Sequence, residues 1–157
     1  MQLFSFIDTL ITKGMAKVGI RLLRWSIGFI FVWFGALKFF PGLSPAQELA
    51  TSTIELLTFG LIPLGVSLFL LALLEVLIGI LLLLGKFMRL TIFLLVFQMM
   101  GTMSPIFLFP ELVFTHFPYA LTIEGQYIFK NFVVISAGIV IGATVRGGEL
   151  TAEPVRR

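Results

Sequence analysis

Apolar residues run along the chain in four long blocks separated by short polar interruptions. A helix rises about 1.5 Å per residue and bilayer hydrocarbon needs about 20 residues, so each block is long enough to cross it. The pattern predicts spans over residues 22–40, 63–84, 88–109 and 126–145. Pro41-Gly42, Pro110 and Arg146-Gly147-Gly148 mark the stops, and Pro63 falls in a first helical turn, where proline is tolerated. Ahead of the first block, Phe4, Ile7, Ile11, Met15 and Val18 recur at three- and four-residue spacing, with Asp8, Lys13 and Lys17 on the other side. That predicts an amphipathic helix over residues 1–20 lying in the membrane interface, the alternative being a frayed extension of the first span weakened by Gly14 and Gly19. Residues 21–147 then form a four-span membrane domain, and residues 148–157 a polar tail. Residues 43–62 read as a short surface helix from Ala46 to Leu57. Residues 110–125, with Phe114, Phe117, Pro118 and Tyr119, read as an ordered cap. The expected fold class is all-α: an integral membrane antiparallel four-helix bundle with an N-terminal interfacial helix.

Composition agrees. The 157 residues are 59% hydrophobic and only 12% charged, against about 45–50% and about 25% in soluble domains. So few charges cannot cover a soluble globule. The net charge of +3 does not point to nucleic acid, because Lys and Arg flank the apolar blocks and form no basic stripe. Cysteine is absent, which removes disulfides, thiol redox chemistry and iron–sulfur ligation. The single histidine, His116, cannot supply paired axial ligands to haem. The first twelve residues carry no Lys or Arg, so a cleaved signal peptide is not expected.

Basic residues set the expected orientation. Lys13, Lys17, Arg21 and Arg24 precede the first span, Lys86 and Arg89 flank the turn between the second and third, and Arg146, Arg156 and Arg157 follow the fourth. Nine of the eleven thus fall on one side, so both termini are expected on the cytoplasmic side. The outward connections carry Glu48, Glu55, Glu111 and Glu124.

Each span also carries polar groups that do not belong in lipid: Lys38, Glu75, Gln98 and the pair Lys130-Asn131. An ionisable group in hydrocarbon costs a few kcal/mol or more, so it normally faces a protein interior. Counting from the basic flanks, Glu75 and Gln98 lie about 14–16 Å in, and Lys38 and Lys130 about 21–24 Å in, toward the outer side. Small residues share their faces: Gly28 and Gly35 with Lys38, Ala72 and Gly79 with Glu75, Gly101 and Thr102 with Gln98, Gly138 and Gly142 with Asn131. Such faces pack closely, so one internal polar cluster in the outer half is expected. Two readings stay open: a structural ion pair between Glu75 and a lysine, or a proton-carrying or ligand-contacting group. Lys38 and Lys130 also have stems long enough to reach the headgroups.

The segment Trp33-Phe34-Gly35-Ala36-Leu37-Lys38-Phe39 resembles the W-x-G-x-x-K-F signature of the DoxX-like membrane proteins. Glu75 with Gly79 resembles their E-x-x-x-G element, and Leu121 to Asn131, which includes Gln126, resembles the opening of their last span. The resemblance runs from about Leu22 to Gly147. It implies a four-helix inner-membrane protein, in some members a small subunit of quinone-linked sulfur oxidation, in others a protein of oxidative-stress or membrane-assembly systems. Without Cys, haem ligands or a nucleotide motif, the chain would be at most a non-autonomous oxidoreductase subunit. No cofactor is intrinsic, and any redox role would come from a bound quinone or from a partner subunit; the candidate ligand or ion-pair cluster is Trp33, Lys38, Glu75, Gln98, Gln126, Lys130 and Asn131. Expected partners are the bilayer and either a membrane or redox protein or further copies of the chain. Two other functions compete: a non-catalytic scaffold or assembly factor working through residues 43–62 and 110–125, and a small proton-coupled carrier.

Overall fold

A computed structural model describes residues 2–40, 42–44 and 47–152. The expected stop at Pro41, the start of the surface helix at Ala46 and the basic pair Arg156-Arg157 lie outside the described residues. Four helices are long and apolar enough to cross a bilayer: α1 (Gln2–Leu37), α3 (Leu64–Leu84), α4 (Met88–Met103) continued by the single turn α5 (Pro105–Leu108), and α7 (Ile123–Ala143). The surface helix α2 (Gln47–Leu57) follows α1, and the turn α6 (Pro110–Val113) follows α5. The chain is an all-α membrane bundle.

Local chemistry sets the boundaries. Pro63 caps α3, and Gly85 ends it in a left-handed turn (φ 67°) whose N–H donates to the Leu81 carbonyl at 2.9 Å. Phe87 is also left-handed (φ 50°) and caps α4. Three residues thus suffice to reverse the chain. Pro105, which has no N–H to donate, marks the join between α4 and α5. Thr122 caps α7: its Oγ1 accepts the Gly125 N–H at 2.9 Å and donates to the Leu112 carbonyl at 2.8 Å. This cap starts the fourth span at Ile123, three residues earlier than hydropathy alone suggests. Lys38, Phe39 and Phe40 continue α1 only as a tight turn with i to i−3 bonds.

Around the bundle, α1 packs on α3, α3 on α4, α4 on α7, and α7 on α1. Neighbours run antiparallel: Gly28 meets Gly79 and Leu83 while Gly35 meets Glu75 and Val76, and Gly138 meets Leu95 while Gly142 meets Ile92. The main core joins residues of all four spans, among them Ile27, Phe31, Ile78, Leu82, Leu95, Met99 and Ile141. A second, smaller core of Leu49, Val113, Phe114 and Ile128 lies under α2. Between α6 and α7 the chain forms a two-stranded hairpin, β1 (Phe114–His116) with β2 (Ala120–Leu121), closed by a turn with a cis Phe117–Pro118 peptide. Residues 110–125 are therefore an ordered cap with extended backbone, which apolar patterning does not distinguish from a loop.

One element differs from expectation in extent. Among the described residues no break separates residues 2–20 from the first span: α1 is one unbroken helix of 36 residues, as the reading of this segment as an extension of the span has it. Gly14 and Gly19 cost about 1 kcal/mol each in a helix interior, too little to interrupt a helix already propagating on both sides.

Candidate functional site: a buried polar layer

Glu75 sits in the middle of α3, with Gly79 one turn below it on the face that meets α1. An ideal Cβ at Gly79 would lie 2.7 Å from the Gly28 carbonyl oxygen and from the Val32 nitrogen, so the two backbones touch there. Gly35 then provides the seat for Glu75, because a Cβ on Gly35 would fall 2.8 Å from the Glu75 Cβ. The glycine spacing brings the carboxylate against the end of α1, where the chain turns at Lys38.

Lys38 Nζ donates to Glu75 Oε2 at 2.5 Å, with the two side chains only 13% and 12% exposed. From α4, Gln98 Nε2 donates to Glu75 Oε1 at 2.7 Å. Each carboxylate oxygen thus has one donor, one from the turn that ends α1 and one from α4. The carboxylate also fixes the amide, since only an NH₂ can face an acceptor. Gln98 Oε1 therefore points away from Glu75, and it is buried with no hydrogen-bond partner among the described residues. Gln98 as a whole is 5% exposed. Leaving a buried amide oxygen unpaired costs about 1–3 kcal/mol, so such an atom calls for a donor.

The layer lies where the main core gives way to the outer cap. Leu95 and Met99 bracket Gln98 on the core side, and Met103 begins the packing of the smaller core. Gly101 follows Gln98 by three residues, and nothing lies within 4 Å of the place where its Cβ would be. This half-buried glycine leaves the surface of α4 open one turn from Gln98.

The other candidates are placed differently. Lys130 does not join the ion pair: its side chain is exposed, with Nζ 5.1 Å from the centre of the Tyr127 ring on the same helix. Its neighbour Asn131 is half-buried and shares the face of Gly138 and Gly142, which abuts α4. Gln126 is exposed. Trp33 is exposed on the outer face of α1 and stacks on Phe29 with centroids 5.7 Å apart. Of the seven, the structure joins Lys38, Glu75 and Gln98 directly.

Two structural features escaped the sequence reading. Arg24 packs its guanidinium on Gly85, so closely that a Cβ there would collide with it, tying α1 to the turn after α3. Gly125 leaves room for the Val113 carbonyl, which a Cβ would strike. Thr122, followed by acidic Glu124 in the first turn of α7, carries the capping signal that locates this junction.

No curated protein and no solved structure matches the chain. The DoxX family matches residues 19–111, a segment that holds the glycine contacts of α1 and α3 and all of Lys38, Glu75 and Gln98, and that stops short of α7. On that match, which covers more than half of its length, the chain belongs to the DoxX family.

Proposed function

We propose that this DoxX protein is a non-autonomous subunit of a membrane redox system, and that its buried layer takes the polar head of a lipid-soluble quinone in its reduced, hydroxyl-bearing form. The observation that carries this reading is the unpaired Gln98 Oε1. An acceptor held in a low-dielectric interior suits a ligand that donates, and a quinol head offers hydroxyl donors. The open space at Gly101 supports the reading as a lateral approach from lipid. Lys38 uses one N–H on Glu75 and directs a second at the Phe34 carbonyl at 3.5 Å, and its third donor suits a carbonyl oxygen of the oxidised form. When bound, a quinone would supply two-electron chemistry that no side chain of this protein provides. The residues of the chain would bind and orient the head, exclude water and hold charge beside it.

The basic residues at Arg21, Arg24, Lys86, Arg89 and Arg146 support an orientation with both termini in the cytoplasm of a bacterial-type inner membrane. The polar layer then faces the outer leaflet.

The test is extraction. Protein purified from its native membrane in mild detergent should carry quinone near one per chain. Gln98→Leu, which removes the acceptor, should lose it while the bundle still melts cooperatively. Quinone-free protein from membranes rich in quinone would reject the assignment.

A second reading is favoured by the glycine contacts at Gly28, Gly35 and Gly79: Lys38 and Glu75 clasp α1 to α3 in a scaffold whose working surface is α2 and the residue 110–125 cap. Exchange of those outer segments would then abolish function, and loss of quinone binding would leave it intact.

A further inference from the structure

Phe4, Ile7, Ile11, Met15 and Val18 form an exposed apolar stripe along the first half of α1, while Phe6 and Leu10, also exposed, lie on the side of Lys13 and Lys17. The stripe continues without a change of phase through Leu22 to Trp33 in the span, at the 3.6-residue period of a straight helix. Inside hydrocarbon an exposed apolar face needs no explanation, because lipid covers it. Outside, it does. Arg24 lies against Gly85, at the end of α3, and marks where the bundle stops. Met15, Ile11, Ile7 and Phe4 lie about 13–30 Å beyond that level, by the helical rise. With Arg24 at the membrane edge, α1 is too long for the hydrocarbon and carries them beyond it, and the described residues leave them open: Phe4 is 79% and Met15 64% exposed.

We propose that this stripe is the contact surface for a second copy of the same chain, pairing α1 with α1 in parallel about a twofold axis along the membrane normal. Membrane topology argues for self over another partner. Two copies inserted with the same orientation present identical stripes at identical heights, so every residue meets its own equivalent with no search for register. Area argues the same way. At about 100 Å² apiece, the five extramembrane side chains offer about 500 Å² per copy, so a pair approaches the roughly 1,000 Å² of a specific interface before the span residues add theirs. The steps of three, four, four and three residues keep these side chains on one side of the helix over its whole length, so two parallel helices can meet along it.

The chain has no native cysteine, so single-cysteine variants report proximity directly. In native membranes, copper-phenanthroline oxidation should link Ile11→Cys and Met15→Cys into dimers efficiently. Lys13→Cys and Ala16→Cys, on the opposite side of α1, should link at least tenfold less. Co-expression with a differently tagged copy should give the mixed dimer. In a Val18→Cys background, Ile11→Glu with Met15→Glu should cut cross-linking at least tenfold and leave yield and melting of the bundle unchanged. Equal linking at all four positions would overturn the proposal. So would stripe cysteines that are shielded from a water-soluble maleimide yet form no dimer, an outcome that would assign the stripe to the lipid surface or to a different protein.

Discussion

Glycine 79 offers the sharpest test of how this bundle is built. Replacement by alanine adds one methyl group 2.7 Å from the Gly28 carbonyl oxygen and the Val32 nitrogen, both backbone atoms that cannot rotate away. Ordinary contact begins near 3.4 Å, so α1 and α3 must part by about 0.7 Å. Parting on that scale would lengthen the 2.5 Å Lys38–Glu75 bond to about 3.2 Å. Overpacking of this kind costs about 1–3 kcal/mol, partly offset by up to about 1 kcal/mol of improved helix propensity. The net expectation is a loss of about 1–2 kcal/mol. The control is Gly65 on the same helix, where nothing lies within 4 Å of the new methyl, and where the propensity gain stands alone. Thermal unfolding in detergent reads both, at about 2–4 °C per kcal/mol for a chain of this size. Gly79→Ala should melt lower than the natural protein, and Gly65→Ala at the same temperature or higher. A Gly79→Ala variant that melts with Gly65→Ala would refute the close contact and the seating of Glu75 argued from it.

Other expectations follow from the same geometry. Lys38→Leu strands the Glu75 carboxylate and should cost about 3–5 kcal/mol, whereas Lys38→Leu with Glu75→Leu and Gln98→Leu should recover most of it; a triple variant no better than the single one would show that the layer is not an electrostatic unit. Gly101→Leu puts its Cβ where nothing lies within 4 Å and adds bulk one turn from Gln98, so quinone extracted per chain should fall at least tenfold while the bundle still melts cooperatively. Thr122→Ala removes the side-chain cap of α7 and should cost about 1 kcal/mol, read as faster proteolysis within residues 110–122. Gly125→Ala, which drives a methyl into the Val113 carbonyl, should be worse than Thr122→Ala in the same assay.

Much of this architecture was legible in the sequence because lipid imposes a simple rule. A block of about 20 apolar residues has to be a helix if it crosses a membrane, and four blocks gave four helices. Boundaries were less legible, since hydropathy ignores caps: Thr122 begins α7 ahead of its apolar run, and α1 stops at Leu37 although Phe39 and Phe40 are apolar. The hairpin at residues 114–121 was invisible because strands of three and two residues carry no readable alternation. Depth found Glu75 and Gln98, since neither has a stem that reaches the surface from mid-span. It failed for Lys130, which shares its depth with Asn131 but is turned about 100° from it around the helix. The buried acceptor on Gln98 could not be read at all, because it depends on which end of the amide the carboxylate takes.

The three-residue turn after α3 has a consequence for assembly. Glu75 precedes Gly85 by about as many residues as Gln98 follows Phe87, so the two side chains sit opposite one another in a helical hairpin. A turn this short obliges α3 and α4 to enter the membrane together. The Glu75–Gln98 bond is therefore available within the hairpin itself, while Lys38 reaches the carboxylate across the longer, α2-bearing connection from α1. Biogenesis then divides into two stages, insertion of a hairpin whose acidic group already has an amide donor, and docking of the first helix as its counter-charge. Truncation after residue 103 would leave both stages intact, and deletion of α1 would leave a hairpin that inserts with an unneutralised carboxylate.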